Sequence, residues 1–339
     1  EFLGRCRYER QGDENTGQRN GYETGTLKTA EGVLKVKLPQ VRDSEQPYHS
    51  KIWQNLGSRS EVLEEMVKEM WVRGLSVRDV EAAMITATGA FVLSDTAVSE
   101  VTQKLYEQYE AFRERKLDGF DIAYLFIDAV YEPLRRHGCK TAVICAWGIC
   151  TDWRKILLNL VSGNTESYET CLDFLRDMVK RGLATPLTVT TDGAPGLTKA
   201  VEAMWPKAWR IRCWFHKMQN LQNKVPPNAW ADFKALVIDV RDAPTHKEGM
   251  ARIKQLIALK KSEFPEACRC LEDDLEASLN HLHVPFRHRP IVRTTNLVER
   301  TFVEERRRTK TILHLWDEQS AIKLVFAVLI RVSERWSQR

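Results

Sequence analysis

The chain has 339 residues, enough for a full-sized core and for two or three domains, so a small disulfide- or metal-stapled module is excluded. Lys plus Arg number 51 against 46 Asp plus Glu, a net charge of +5, which is compatible with a polyanionic partner without demanding one. The eight Cys are scattered and form no CxxC pair, as expected of reduced thiols in a cytosol, and the longest apolar runs, such as Leu324 to Ile330, fall far short of the ~20 residues that span a bilayer. No secretory leader is recognised, and the expected compartment is the cytoplasm, with no membrane contact.

Residues 1–57 mix Arg, Gly and Asn around one hairpin, in which Ala30-Glu31-Gly32 is the turn and Leu34, Val36 and Leu38 alternate with Lys35 and Lys37. Residues 58–117 then read as helices. Ser60 opens a stripe of Leu63, Met66, Val67, Met70 and Trp71 that Gly74 closes. Ser76-Val77-Arg78-Asp79 has the form of a capping box, Gly89 breaks the helix it starts, and Ser94 starts another carrying Val98, Val101 and Leu105. Helix, glycine turn and helix suit a helix-turn-helix, with an ordinary helical hairpin as the plainer reading. If it enters a major groove, Thr96, Ser99, Thr102 and Gln103 are the base-edge candidates and Lys104 the phosphate contact.

The period changes at residue 118. Ile122 to Val130 is almost continuously apolar, as a central strand covered on both faces must be. Thr141–Trp147 and Ile156–Val161 are two further strands. A helix capped by Asn164 or Thr165 carries Cys171, Phe174, Leu175 and Met178 and stops at Gly182. Leu187–Thr191 is a fourth strand, Pro195-Gly196 opens a short helix, and Arg210–Phe215 supplies a fifth strand. Residues 217–290 are helical throughout, with Thr245 and Glu248 as another capping box, and form an all-α insertion. Residues 291–339 hold a basic helix from about Asn296 and a last amphipathic helix from about Asp317 to Trp336.

An ionised carboxylate in a buried strand is costly unless it is paired or bound to a cation, so Asp128 within Tyr124–Val130 needs a reason. So does Asp192, which ends the fourth strand. A lone strand-end Asp usually caps a turn. Two of them on neighbouring strands would emerge at one sheet edge and jointly hold a hard cation such as Mg²⁺. Between Arg287 and Lys310 the chain carries eight Lys or Arg and three Glu, a local basic excess as large as that of the whole chain. Cys213 and His216 form a CxxH, and Cys268, Cys270, His281 and His283 are further soft ligands, though their spacings match no standard zinc pattern.

These elements, taken in order, resemble the Mutator-type transposase family of bacterial insertion sequences. The resemblance is carried by Asp192-Gly193-Ala194-Pro195-Gly196-Leu197, Cys213-Trp214-Phe215-His216, Thr295-Asn296-Leu297-Val298-Glu299-Arg300 and Arg306-Arg307-Arg308-Thr309-Lys310, with Arg19-Asn20-Gly21-Tyr22 and Arg73-Gly74-Leu75-Ser76 upstream. The chain departs from the family pattern at Glu132-Pro133, where a more basic tract is usual, and at Gln219, where Arg is usual.

The resemblance implies an α/β fold: a ribonuclease-H-like mixed sheet with an all-α insertion domain, preceded by a helix-turn-helix DNA-binding region. It implies an acidic (DDE) triad of Asp128, Asp192 and Glu299, which serve as both catalytic residues and metal ligands. Two Mg²⁺ or Mn²⁺ ions per active site would be the cofactors. Arg300, Arg306, Arg307, Arg308 and Lys310 are then phosphate contacts beside the metals, and Cys213 and His216 a structural or site-adjacent pair. The implied partners are double-stranded DNA, both element termini and target, and a second copy of the chain, in the cytoplasm with the nucleoid. The rival expectation is a transposase-derived DNA-binding protein without catalysis.

Overall fold

A computed structural model of the chain describes residues 2–3, 17–133, 140–163, 167–309 and 317–337. The chain forms two compact units, Glu1–Leu105 and Tyr106–Arg339.

In the first unit, β1 (Gln18–Thr29) and β2 (Gly32–Arg42) pair antiparallel across the Ala30-Glu31 turn, with Lys35 and Lys37 exposed as the alternation requires. Four helices follow: α1 (Lys51–Leu56), α2 (Glu61–Val72), α3 (Val77–Thr88) and α4 (Asp95–Glu114). Their ends are set by local chemistry. The Ser60 hydroxyl accepts from Leu63 N–H, Ser76 and Asp79 form the reciprocal capping box, and Gly74 and Gly89 take the positive φ that ends a helix without a Cβ clash. Leu63, Val67, Val80, Met84, Val98 and Val101 are buried in one small core. The division between units falls inside α4, before the end at 117 expected from sequence, because Tyr109 and Phe112 lie in the core of the second unit.

The second unit is built on a mixed five-stranded sheet. Three antiparallel strands come first, β3 (Ile122–Pro133), β4 (Lys140–Cys150) and β5 (Lys155–Gly163). Then come α5 (Tyr168–Lys180), β6 (Thr188–Thr191), α6 (Pro195–Met204) and β7 (Trp209–Arg212). The order across the sheet is β5-β4-β3-β6-β7, with β6 parallel to β3 and β7 parallel to β6. The cap of α5 is Ser167, whose hydroxyl accepts from Thr170 N–H; Asn164 and Thr165 lie outside the described residues. The fifth strand is shorter than its apolar run, because Trp214 already begins α7 (Trp214–Gln222).

Both faces of β3 are covered. Leu125 and Ile127 pack with Cys171, Phe174, Leu175, Leu197 and Val201 of α5 and α6. Tyr124, Phe126 and Val130 point the other way, toward Val298 and Phe302 of α13 (Asn296–Thr309) and Ile322, Val325 and Leu329 of α14 (Glu318–Ser337). This double burial is why the strand reads as apolar without a gap. Before α13 comes a helical body, α7 with α8 (Trp230–Arg241), α9 (His246–Lys260), α10 (Pro265–Glu272) and α11 (Leu275–Leu279), packed around Phe233, Val237, Ile253 and Leu271. A 3₁₀ turn (Asn280–His283) and the short α12 (Arg289–Val292) lead back to the sheet. Among the described residues no helix is long and apolar enough to cross a membrane.

Candidate active site

The site begins with strand register. Ile127 of β3 pairs with Thr191 of β6, and Thr191 pairs with Arg212 of β7. The next residue on each of these three parallel strands is therefore Asp128, Asp192 and Cys213, side by side at ~4.8 Å strand spacing. The Cys213 N–H continues the ladder, donating to Thr191 O at 2.8 Å. Three chemically active side chains are thus delivered to one end of the sheet, although 85 positions separate the first from the last in the chain.

Asp128 is buried, 7% exposed, and lines a small crevice with Asp192, Ala129, Ile144, Cys171 and Leu197. Its Oδ1 accepts from Ala129 N–H at 2.9 Å. Burial pushes its carboxyl up to about 7; the neighbouring His216 opposes this, and the Asp192 charge reinforces it. Asp192 accepts from Ala194 N–H at 3.0 Å, which fixes the tight exit from β6. Gly193 relieves backbone strain there. Its φ is +89°, and a Cβ would stand 2.3 Å from the Arg212 guanidinium carbon. Arg212 is itself buried and pairs with Asp274 at 3.7 Å.

The third acid arrives on α13, which packs against β3 and β4. Asn296 is already the first helical residue, so the helix starts one position earlier than a cap at Asn296 would place it. Glu299 consequently does not close a capping box with it. Its Oε1 accepts instead from the Thr295 hydroxyl at 3.1 Å, while its N–H donates to Thr295 O at 2.9 Å. Thr295 is wholly buried and is a hub to which the sequence assigned no role: its hydroxyl also lies 3.4 Å from Cys213 Sγ and helps to hold the nearby Asp128 carboxyl down, and its N–H donates to Cys213 Sγ at 3.3 Å. A hydroxyl has one proton, so only one of these acceptors receives it at a time.

His216, in the first turn of α7, completes the cluster. Cys213 Sγ, a His216 ring nitrogen and a Glu299 carboxylate oxygen all lie within 4.8 Å of one another. The His216 imidazole is pushed up to about 9, first by the adjacent Cys213 sulfur and then, against burial, by the carboxylates of Asp128 and Glu299. The structure therefore links Asp192 to Asp128, Asp128 to His216, and His216 to Glu299. Among the described residues the group with close metal-ligand spacing is Cys213, His216 and Glu299, and the three acids alone are not drawn together to that spacing.

The other soft ligands do not converge. Cys268 is buried in the helical body, both His281 ring nitrogens face backbone carbonyls, of Ser278 at 3.0 Å and Arg241 at 2.8 Å, and His283 stacks on Trp209 and His246. Burial drives His281 down to about 4.

On α13, Arg300, Arg306 and Arg307 are exposed and Arg308 is half-buried; Arg307 and Arg308 both pair with Glu304, and Lys310 lies outside the described residues. Further along, Glu305 is fully buried against Glu132 of β3, the residue at which the chain departs from the family pattern, and burial raises the Glu132 carboxyl. In the first unit, Thr96, Ser99, Gln103 and Lys104 are exposed on α4, with Lys104 paired to Glu64. Thr102 is not available as a base-edge contact: it is 3% exposed and its hydroxyl donates to Ser99 O at 2.9 Å. It falls on the same stripe as Val98, Val101 and Leu105.

The chain is 30% identical over 343 residues to the transposase for insertion sequence element IS406 of Burkholderia multivorans, covering 99% of this chain and 86% of that protein. It is 29% identical to the transposase for ISRM5 of Rhizobium meliloti, over 100% of this chain and 84% of the other. The transposase for IS256 in transposon Tn4001 of Staphylococcus aureus is 26% identical over 99% of this chain and 86% of its own length. The family described as "Transposase, Mutator family" matches residues 1–339, and the chain belongs to that transposase family.

Proposed function

We propose that this protein is a DNA transposase of the DDE type, with a ribonuclease-H-like core, that binds the terminal inverted repeats of an insertion sequence and catalyses strand cleavage and strand transfer. The observation that carries the reading is the register of β3, β6 and β7, which brings Asp128 and Asp192 to one sheet end, together with the return of α13 over β3, which brings Glu299 to the same cluster. The sheet order, three antiparallel strands followed by two parallel ones, and the helical body between Asp192 and Glu299 suit that core.

The donor set fits a hard divalent cation. Asp128 is a carboxyl held in a crevice where its ionised form lacks enough compensation, the condition that a bound cation relieves. Asp128, Asp192 and Glu299 would hold two Mg²⁺ or Mn²⁺ ions, which supply activation of the attacking oxygen and stabilisation of the leaving one at a phosphodiester. Thr295 orients Glu299 by its 3.1 Å hydrogen bond. Arg300 and Arg306 are exposed on the same helix as Glu299 and suit charge-assisted contacts to phosphate, as Arg307 and Arg308 do once released from Glu304. Thr96, Ser99 and Gln103 on α4 suit recognition of double-stranded DNA, with Lys104 as a phosphate contact. Two element ends must be held together, so the working form is a homodimer, in the cytoplasm with the nucleoid.

The test is incubation of the protein with labelled element ends and Mg²⁺ or Mn²⁺. Nicking at a defined end, lost on chelation and in Asp128→Asn, Asp192→Asn and Glu299→Gln while end binding persists, is the expected result. Sequence-specific binding with no nicking under any divalent ion would favour a transposase-derived DNA-binding protein instead.

A further inference from the structure

We infer that Cys213, His216 and Glu299 form a site for a borderline-soft divalent ion, Zn²⁺ or Co²⁺, separate in chemistry from the hard-cation site and sharing Glu299 with it. The three donor atoms already lie within 4.8 Å of one another. Tetrahedral zinc, with bonds of about 2.0–2.3 Å, sets its ligands roughly 3.3–3.8 Å apart. Closing that difference asks for side-chain adjustment of about 1 Å and no movement of the elements.

Two observations independent of the spacing support a ligand here. First, the site has its outer shell in place. Thr295 N–H is aimed at Cys213 Sγ at 3.3 Å, the N–H···S contact that steadies a metal thiolate, and the Thr295 hydroxyl holds Glu299 Oε1 at 3.1 Å. One residue braces two of the three ligands. Second, His216 Nδ1 is buried with no hydrogen-bond partner, an unmet polar group in a cluster where metal coordination, directly or through its ring partner nitrogen, would make use of the imidazole. Cys213 is itself fully buried, while His216 and Glu299 are half-buried and leave an approach for the ion and an open fourth position.

Ligand softness separates the two uses of the site. Thiolate and imidazole favour zinc and cobalt, and Mg²⁺ prefers oxygen. On binding, the Cys213 S–H bond is broken, a sulfur–metal bond forms, and the proton leaves to the solvent; nothing is oxidised or reduced. Because Glu299 is shared, an ion held by Cys213 and His216 withdraws it from the hard-cation site, and the protein is inhibited by zinc at concentrations far below those of magnesium. The inhibition rests on the function proposed above, whereas the binding does not.

Cobalt reports on the site directly. Titration of the full chain with Co²⁺, without DNA or Mg²⁺, is expected to give a thiolate-to-metal charge-transfer band and tetrahedral ligand-field bands saturating at one equivalent, and Zn²⁺ should bleach them. Cys213→Ser should abolish the charge-transfer band, His216→Gln and Glu299→Gln should weaken binding at least tenfold, and Cys270→Ser should change nothing, with melting curves reporting the folding of each variant. A missing band, or one that survives in Cys213→Ser, overturns the site even if the protein nicks DNA. In the nicking assay, each protein's rate with micromolar zinc is compared with its own zinc-free rate: the parent should be inhibited and rescued by a zinc chelator. Inhibition equally strong in His216→Gln would overturn the shared-ligand account. A normal cobalt spectrum from a protein that never nicks DNA would leave this site standing and sink the proposed function.

Discussion

Asp128→Asn separates the electrostatic cost of the site from its chemistry. The carboxyl has an ordinary value of 3.8 and stands at about 7 in the folded protein without metal. Between those values the folded state keeps a proton that the unfolded chain has lost, so metal-free stability falls as pH rises from 4 to 7 and is level, for this group, on either side. Each pH unit is worth about 1.4 kcal/mol, so the full loss is at most about 4 kcal/mol, and roughly half is a sensible expectation where water can relax around the site. Asparagine keeps the shape and cannot titrate. In EDTA, the variant should therefore gain on the parent by about 2 kcal/mol between pH 4.5 and 7.5 in denaturant unfolding, or several degrees in melting temperature. His216 acts in a higher window: its stabilisation is complete below pH 6.5 and is lost as pH climbs through about 9, so the part of the range below pH 6.5 reads Asp128 alone. Saturating Mg²⁺ should reverse the order, stabilising the parent by up to about 2.7 kcal/mol at a hundredfold excess over its Kd and leaving the variant where it was. A stability gap between variant and parent that does not move with pH, or a variant still stabilised by Mg²⁺, would refute the argument that Asp128 is an undercompensated carboxylate awaiting a cation.

Three other outcomes are expected. Gly193→Ala should destabilise by about 1–3 kcal/mol and impair nicking, and Arg212→Ala in the same chain should restore part of that loss by removing the 2.3 Å clash while leaving the φ of +89°; strictly additive melts would show that the clash is not the cause. Glu299→Gln should melt like the parent and lose cleavage, whereas Glu305→Gln, which neutralises one member of the buried Glu132–Glu305 pair, should keep cleavage and be no less stable at pH 8; lost cleavage in the second with parental activity in the first would move the third acid along α13. Ser99→Ala and Gln103→Ala should weaken binding to element ends in gel shifts while Thr102→Ala costs about 1 kcal/mol of stability and leaves sequence preference intact; a change of preference in Thr102→Ala would put that buried side chain back in the groove.

What the sequence by itself determined is local. Ser60, Ser76 and Thr245 start helices because a hydroxyl satisfies an N–H three residues on, and Gly74, Gly89 and Gly182 stop them because the chain there needs positive φ. The unbroken apolar run around Asp128 marked a doubly covered strand and made its carboxylate conspicuous. The same periodicity, followed through, also placed Thr102 among Val98, Val101 and Leu105 on the buried side of α4, although its polarity invited a different reading.

Only the tertiary structure decided how the site is assembled. No local pattern says that β6 lies beside β3 rather than at the sheet's far edge, and it is this pairing that aligns Asp128, Asp192 and Cys213 one rung beyond Ile127, Thr191 and Arg212. The partner of Glu299 was likewise undetermined. Asn296 and Thr295 are both plausible helix starts, and the choice turned on α13 packing over β3, which buries Thr295 between Asp128, Cys213 and Glu299. Hydrogen bonds within a few residues are encoded in adjacent letters. Contacts between strand ends far apart in the chain exist only once the sheet has closed, because burial on both of its faces, and not any local preference, selects the strand order.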